Sequence, residues 1–409
     1  MSQKNFVNYH ILISHSPSCL NRDDINMQKT AIFGGVRRVR ISSQSLKRAM
    51  RENDYYLTNL GKPSTRTREL EKIKAKLIDE LRNEFEEKLI AETVERFVKA
   101  SNTDDKSDAE ENEAEDTVNE EETKKSNKLA VAPWVTNEIR ELCRIVKTVK
   151  DGGLTEKELA SIKEKFNKQK GKKKKTEQEI IGELWDKKIQ KEIDEKGEGL
   201  RTAFSTAVDI ALSGRMATSG LMTSADGALA VAHVITTHAV DGDIDWFTAV
   251  DDLVADAGEV GAGHLNTQEF SAGVFYRYAS LNIQQLQKNL GGANRERAVE
   301  IAKHLLHLLA TVVPSAKQQT FAAHNLADFA LVSFADHPIS LANAFEAPIK
   351  NGRDGGFLQA SMEKLVEYWG TINAKYGLDE QAAAFGLRDI DLPEALKPCA
   401  TFTEIGNLG

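Results

Sequence analysis

Arg22, Lys29, Arg37, Arg38, Arg40, Lys47, Arg48 and Arg51 crowd one thirty-residue stretch that sets only Asp23 and Asp24 against them. The stretch carries +6 in a chain whose formal net charge is −8, which leaves −14 for everything else. Cationic charge gathered in this way suits a polyanion, and phosphate in particular. Ser42 and Ser43 stand where strand-like alternation gives way to helical spacing, so a hydroxyl cap and unpaired first-turn amides join the cations. The plain alternative is a solvated basic helix packed beside a strand.

The elements that must position these groups are legible around them. Phe6 to Ser14 alternates as a strand, with Val7, Tyr9 and Ile11 on one face. Gly34-Gly35 makes a turn into Val36 to Ile41, where Val39 and Ile41 face one way and Arg38 and Arg40 the other. From Ser43 a helix places Leu46, Ala49 and Met50 on its apolar side, with Gln44, Lys47, Arg48 and Arg51 opposite.

Near residue 62 the pattern turns helical and stays so to about 198. Leu70, Ile73, Leu77, Leu81, Phe85 and Leu89 recur at helical spacing, and Pro133 reads as a first-turn proline opening a helix through Ile139, Leu142 and Val146. Thr155 with Glu158, and Thr176 with Glu179, form capping boxes. Asp104 to Glu122 holds eleven acidic residues and one Lys, which predicts a disordered linker over about 101–128. Lys163 to Lys175 holds eight lysines, read either as a second nucleic-acid contact or as a solvated helix end.

After Leu200, Phe204, Thr206, Val208, Ile210 and Leu212 alternate as a strand, followed by strands over Leu229 to Thr237, Phe270 to Leu281 and Phe329 to Phe334, with a helix from Asn294 to Ala310. The order β, α, β, β, α, β predicts an α+β, ferredoxin-like fold, the topology of RNA-recognition modules. Between Thr237 and Gly273, Trp246 and Phe247 stand side by side among Asp243, Asp245, Asp251 and Asp252. Burial in a core is the ordinary account of such a pair, and stacking on bases from a projecting loop is the other.

Cys19, Cys143 and Cys399 form no CxxC pair, and no charged-then-apolar leader opens the chain, so a cytoplasmic protein is expected. HExxH, GxxxxGK[ST] and GxSxG are absent, and no cofactor is expected. His304 and His307 lie three apart on one helical face, a spacing more often structural than metal-binding. The rival enzymatic reading is a metal-dependent RNA endonuclease that uses Asp23 or Asp24.

Several of these stretches resemble the backbone subunit of the type I-E CRISPR Cascade complex, the CasC family. They are Ile13 to Asp24, Ala31 to Gly35, Arg37 to Arg48, Ala211 to Gly220, Asp243 to Asp252, Thr267 to Phe270, Gly273 to Tyr278 and Asn289 to Ala293. The resemblance implies an RRM-like palm over 1–61 and 199–409, a helical fingers insertion over 62–198 and a β-hairpin thumb over 238–273. It implies no catalysis. The guide RNA (crRNA) backbone would be held by Arg22, Lys29, Ser42, Gln44, Lys47 and Arg51, and a displaced base would meet Met216, Trp246, Phe247, Thr248 and Leu265. Implied partners are crRNA, target DNA through the guide, further copies in a head-to-tail filament and other Cascade subunits, in antiviral defence. Val36 stands where this family often has Lys ahead of the Arg pair.

Overall fold

A computed structural model describes residues 4–24, 26–67, 69–99, 132–167, 176–215, 224–248, 265–352 and 355–407. In chain order the first elements are β1 (Phe6–Ser18), β2 (Thr30–Phe33), β3 (Val36–Ile41), α1 (Ser43–Glu52), α2 (Asp54–Leu60) and β4 (Thr65–Thr67). Then come α3 (Leu70–Leu81), α4 (Glu87–Lys99), β5 (Ala132–Trp134), α5 (Thr136–Asp151), α6 (Glu156–Asn167), α7 (Glu177–Ser205) and α8 (Val208–Ser213). The chain continues through β6 (Leu229–Val231), β7 (Val234–Thr236), β8 (Asp243–Thr248), β9 (Leu265–Asn282), α9 (Ile283–Asn289), α10 (Arg295–Thr311) and β10 (Phe329–Ala335). It ends with α11 (Leu358–Tyr376), β11 (Gln381–Gly386), β12 (Leu396–Pro398) and α12 (Phe402–Ile405).

One mixed sheet organises the molecule, in the order β12-β11-β10-β1-β9-β7-β3-β2, with β6 and β8 also paired to β9. β1 lies between β10 and β9 and is antiparallel to both. Its residues alternate between two cores. Val7, Tyr9, Ile11 and Ile13 pack with Leu46 of α1 and Ile301, Leu305 and Leu308 of α10, while Leu12 faces Met362, Leu365 and Trp369 of α11. Both strands are covered on both sides; β10 is apolar at nearly every position, whereas β1 places the buried Asn8 and His10 on its second face, where each is hydrogen-bonded. Tyr9 Oη donates to the Ala302 carbonyl at 3.0 Å. The buried Arg277 closes the end of α10 by donating to the carbonyls of Leu309 and Val312 at 2.8 and 2.7 Å, a cation at the negative end of the helix.

The helical unit has a core of its own, built on Ile73, Leu77, Leu81, Ile90, Val94, Phe97, Ile139, Leu142, Val146 and Ile189. Both capping boxes form. Thr155 N donates to Glu158 Oε2 at 2.8 Å and the Glu158 amide returns to Thr155 Oγ1 at 3.4 Å; Thr176 and Glu179 repeat the exchange.

Three local expectations change. Residues 204–205 end α7 and 208–212 lie in α8, so the run is helical on both sides of a break at 206–207 rather than extended: α8 buries Val208, Asp209, Ile210, Ala211 and Leu212, and burial on every side erases the polar face that marks a helix. Pro133 lies in β5, paired with Arg66 of β4, and the helix starts at Thr136. The spacing from Leu70 to Leu89 spans two helices broken between Leu81 and Glu87. The acidic segment expected to be a disordered linker lies outside the described residues, as do residues 168–175 of the lysine run. Among the described residues no helix is long and apolar enough to cross a membrane.

Two buried histidines give the fold an acid-sensitive point. Burial pushes His10, hydrogen-bonded to Tyr276 Oη at 2.9 Å, down to about 3, and burial with the nearby Arg277 does the same to His15. Both rings stay neutral in the folded chain and take up a proton on unfolding once the pH is below about 6.5. Their contribution is complete above that value and is lost as the pH falls toward 3. By pH 5 roughly 2 kcal/mol per histidine should be gone, read as a lower urea midpoint than at pH 7. An equal midpoint at the two pH values would contradict this.

Candidate nucleic-acid interface

The basic stretch sorts into cations tied to carbonyls or carboxylates of the fold and cations gathered around the start of α1. Ile32 pairs with Arg37 and Phe33 with Val36 across Gly34-Gly35, whose φ values of 61° and 75° are those of a two-residue hairpin turn. A Cβ at Gly34 would sit 1.7 Å from the Glu346 carbonyl oxygen, so only glycine fits. Arg38 is buried and donates to the carbonyls of Phe33, Thr236 and Phe345 at 3.3, 3.1 and 2.8 Å. It holds the hairpin to the sheet. Arg37 pairs with the buried Glu269 at 2.8 Å, and Arg48 with Glu52 at 2.9 Å.

The other cations surround the start of α1. The loop after β1 folds back so that Arg22 bridges Gln28 and the Lys29 amide donates to the Asn21 carbonyl at 3.0 Å. Asn21 Oδ1 in turn accepts the Ser42 amide at 2.8 Å. Arg22 and Lys29 are thereby brought beside the cap of α1, with Arg22 Nη1 on Asn26 Oδ1 at 2.8 Å. Ser42 is the N-cap, its Oγ accepting the Ser45 amide at 3.2 Å. The first turn is less open than its sequence suggests, because the Ser43 amide donates to His233 Nδ1 at 2.9 Å. Among the described residues no acceptor meets the amide of Gln44, which is exposed.

Lys47 and Arg51 follow one turn apart on α1, both partly buried and neither with a hydrogen-bond or ion-pair partner among the described residues. Burial, with Arg66 and Arg51 nearby, holds the Lys47 ammonium below the usual lysine range. Burial, then Arg66, lowers Arg51 as well. A half-buried cation beside other cations is electrostatically unfavourable, and an anion in contact with it would stabilise it. Arg66 was missed in the sequence because it lies beyond Gly61, in what reads there as the helical insertion. Its only local signal is a cation in the short alternating run Thr65-Arg66-Thr67.

The β8–β9 hairpin rises beside this loop. Glu269 of β9 accepts the Gln28 amide at 3.1 Å as well as Arg37, which ties the root of the hairpin to the basic segment. Along the hairpin Trp246 pairs with Thr267, Phe247 with Asn266 and Thr248 with Leu265. The side chains of Trp246, Phe247, Thr248 and Leu265 lie outside the described residues, and so does the whole of Met216.

Asp23 Oδ1 accepts the Met27 amide at 2.8 Å, which commits that carboxylate to the loop, and Asp24 is exposed. His304 accepts or donates with Tyr55 Oη at 2.9 Å and His307 stacks on the same ring at 3.8 Å. Among the described residues no group of three His, Cys, Asp or Glu is placed to hold a metal.

The sequence profile for the CT1975-like protein family (Cas_CT1975) matches residues 7–404. The chain belongs to this family. The family assignment therefore spans the sheet, the helical unit and the hairpin together. Among solved structures, a chain from a "CRISPR RNA-guided surveillance complex, pre-nicking" is 28% identical, with a TM-score of 0.70 and 98% of each chain covered. It shares the mixed α+β fold and large sheet of this member. A chain from another CRISPR RNA-guided surveillance complex, 22% identical with a TM-score of 0.55 over 98% of this chain and 96% of that one, supports the fold alone. No curated protein matches the chain.

Proposed function

We propose that this chain is a guide-RNA-binding backbone subunit of a type I-E CRISPR Cascade surveillance complex. The observation that carries the reading is the cationic edge around α1, above all the partly buried Lys47 and Arg51, which form no ion pair among the described residues, in a chain of this family. In this reading the sheet with α1 and α10 is the RRM-like palm (1–61 and 199–409), the helical unit is the fingers (62–198), and 238–273 is the thumb. The strand path β10-β1-β9-β7, with α1 and α10 as the crossover helices, supports the palm assignment.

Arg22, Lys29, Ser42, Gln44, Lys47 and Arg51 neutralise and orient successive phosphates. Trp246, Phe247 and Thr248 on the hairpin, with Leu265 opposite and Met216 from the palm, displace one base from its neighbours. Copies stack head to tail along one strand, and the bases between wedges stay exposed for pairing with target DNA. The protein then contacts backbone while base pairing reads sequence. Such an interface does not close on itself, so the RNA and terminal subunits set its length.

Protein purified at low salt should carry RNA, seen as excess absorbance at the nucleic-acid maximum that a high-salt wash removes. Protein free of nucleic acid under both conditions, and unable to take up added single-stranded RNA, would overturn the proposal.

A further inference from the structure

We propose that Arg66 and Tyr56 complete, with Lys47 and Arg51, one subsite for a phosphodiester group of the bound RNA, seated where the sheet meets the helical unit. The inference rests on the RNA-binding reading above and adds residues that reading does not contain.

Four observations meet at this place. Lys47 and Arg51 project from adjacent turns of α1 into partly buried positions without partners among the described residues. Arg66 comes to them from β4, close enough that its charge perturbs both. The carboxylate of Asp209 does not satisfy Arg66. The two are 3.8 Å apart, and Asp209 is taken up with Ser64, accepting its amide at 3.0 Å and its hydroxyl at 2.5 Å. The Arg66 side chain keeps 33% of its surface exposed. Finally, Tyr56 is 2% exposed, and among the described residues its hydroxyl has no hydrogen-bond partner. The charges acting on that hydroxyl are Asp209, Arg51 and Arg66.

Among the described residues these three cations face the buried Asp209 and, at Arg51, Glu52, which is already paired with Arg48, so positive charge is left in excess, and a buried phenol without an acceptor is costly. An oxyanion relieves both. Arg66 supplies a planar fork of donors suited to phosphate, Lys47 and Arg51 supply charge, and Tyr56 donates its hydroxyl proton. Asp209 then acts as the positioning residue for Arg66, through Ser64 and the 3.8 Å ion pair.

The placement of Arg66 also joins the subsite to the rest of the molecule. Arg66 pairs with Pro133 of β5, and the Pro133 carbonyl lies 3.5 Å from Arg215 Nη1. Arg215 is locked to Glu138 of α5 by contacts of 2.6 and 2.8 Å. A phosphate held here touches the sheet through α1 and the helical unit through β4.

The test is a salt series of binding between the RNA-freed full-length chain and single-stranded RNA of unrelated sequence. Arg66→Gln should weaken binding about tenfold and flatten the slope of log affinity against log salt by roughly 0.7, the value for one single-strand phosphate contact. Arg66→Lys should keep the slope. Tyr56→Phe should bind RNA about threefold to tenfold more weakly while melting at the same temperature or higher, since the hydroxyl it removes is unpaired in the free protein. A structural role alone would lower melting and leave the slope untouched. A wild-type slope for Arg66→Gln with a flattened slope for Lys47→Gln overturns the subsite and leaves the proposed function standing. Wild-type slopes for both variants overturn the proposed function itself. Should Arg66→Gln fail to fold, Tyr56→Phe decides: wild-type affinity refutes the subsite.

Discussion

Reversing charge at both Lys47 and Arg51, as Lys47→Glu with Arg51→Glu, is expected to lower affinity for single-stranded RNA by about a hundredfold or more. Hydrogen bonds to charged groups are worth about 1.5–3 kcal/mol each, and two of them lost together reach this size before like-charge repulsion of phosphate is added. Both side chains lie on the polar side of α1, away from Leu46 and Met50, which are buried in the core. The helix should therefore survive, and because each cation now sits half-buried beside Arg66, the free protein should lose little stability. Fluorescence anisotropy with labelled RNA measures the first effect and a thermal melt the second. Affinity within threefold of wild type would contradict the assignment of these two residues.

The largest effect on stability is expected at Glu138. Its carboxylate and the Arg215 guanidinium are both 1% exposed and meet through two parallel contacts. Removing one member strands the other charge in the interior, and Glu138→Ala should cost about 3–5 kcal/mol in urea unfolding. Replacing both with apolar residues, as Glu138→Met with Arg215→Met, should cost much less than the single change, because no charge is then left unpaired. A loss below about 1 kcal/mol for Glu138→Ala would show that water or another group takes over the Arg215 guanidinium. The pair is structural, and it fixes Arg215, the residue directly before Met216.

What the sequence showed depended on how local the physics is. Ser42 as a cap, the Thr155–Glu158 and Thr176–Glu179 boxes and the Gly34-Gly35 turn are settled within four residues, and all were legible. β1 declared itself through alternation, with Val7, Tyr9 and Ile11 opposite Phe6, Asn8 and His10, and β10 through apolar content on both of its covered faces. α8 was misread because Val208, Ile210 and Leu212 alternate as strand residues do, while burial of Asp209 and Ala211 removed the contrast a helix needs. Pro133 suits an edge strand as well as a first helical turn, and only its pairing with Arg66 separates the two.

At the candidate interface the same division holds. Arg22, Lys29, Ser42, Gln44, Lys47 and Arg51 stood in one basic stretch and were visible. That Arg37 and Arg38 of the same stretch are tied into the fold was not visible, because it depends on distant groups: Thr236 and Phe345 for Arg38, Glu269 for Arg37. Arg66, Tyr56 and Asp209 meet only in the fold, with Asp209 more than a hundred residues after the other two. No spacing rule joins them.

The central claim is that cations on this edge bind RNA through its phosphates, whatever the base sequence. Its most direct test is the slope of log affinity against log salt for the wild-type chain and single-stranded RNAs of unrelated sequence. With Arg22 and Lys29 each neutralising one phosphate and Lys47, Arg51 and Arg66 sharing a third, at about 0.7 per contact, the slope should be roughly −2 and the same for every sequence. A slope near zero, or binding confined to one sequence, would contradict the account.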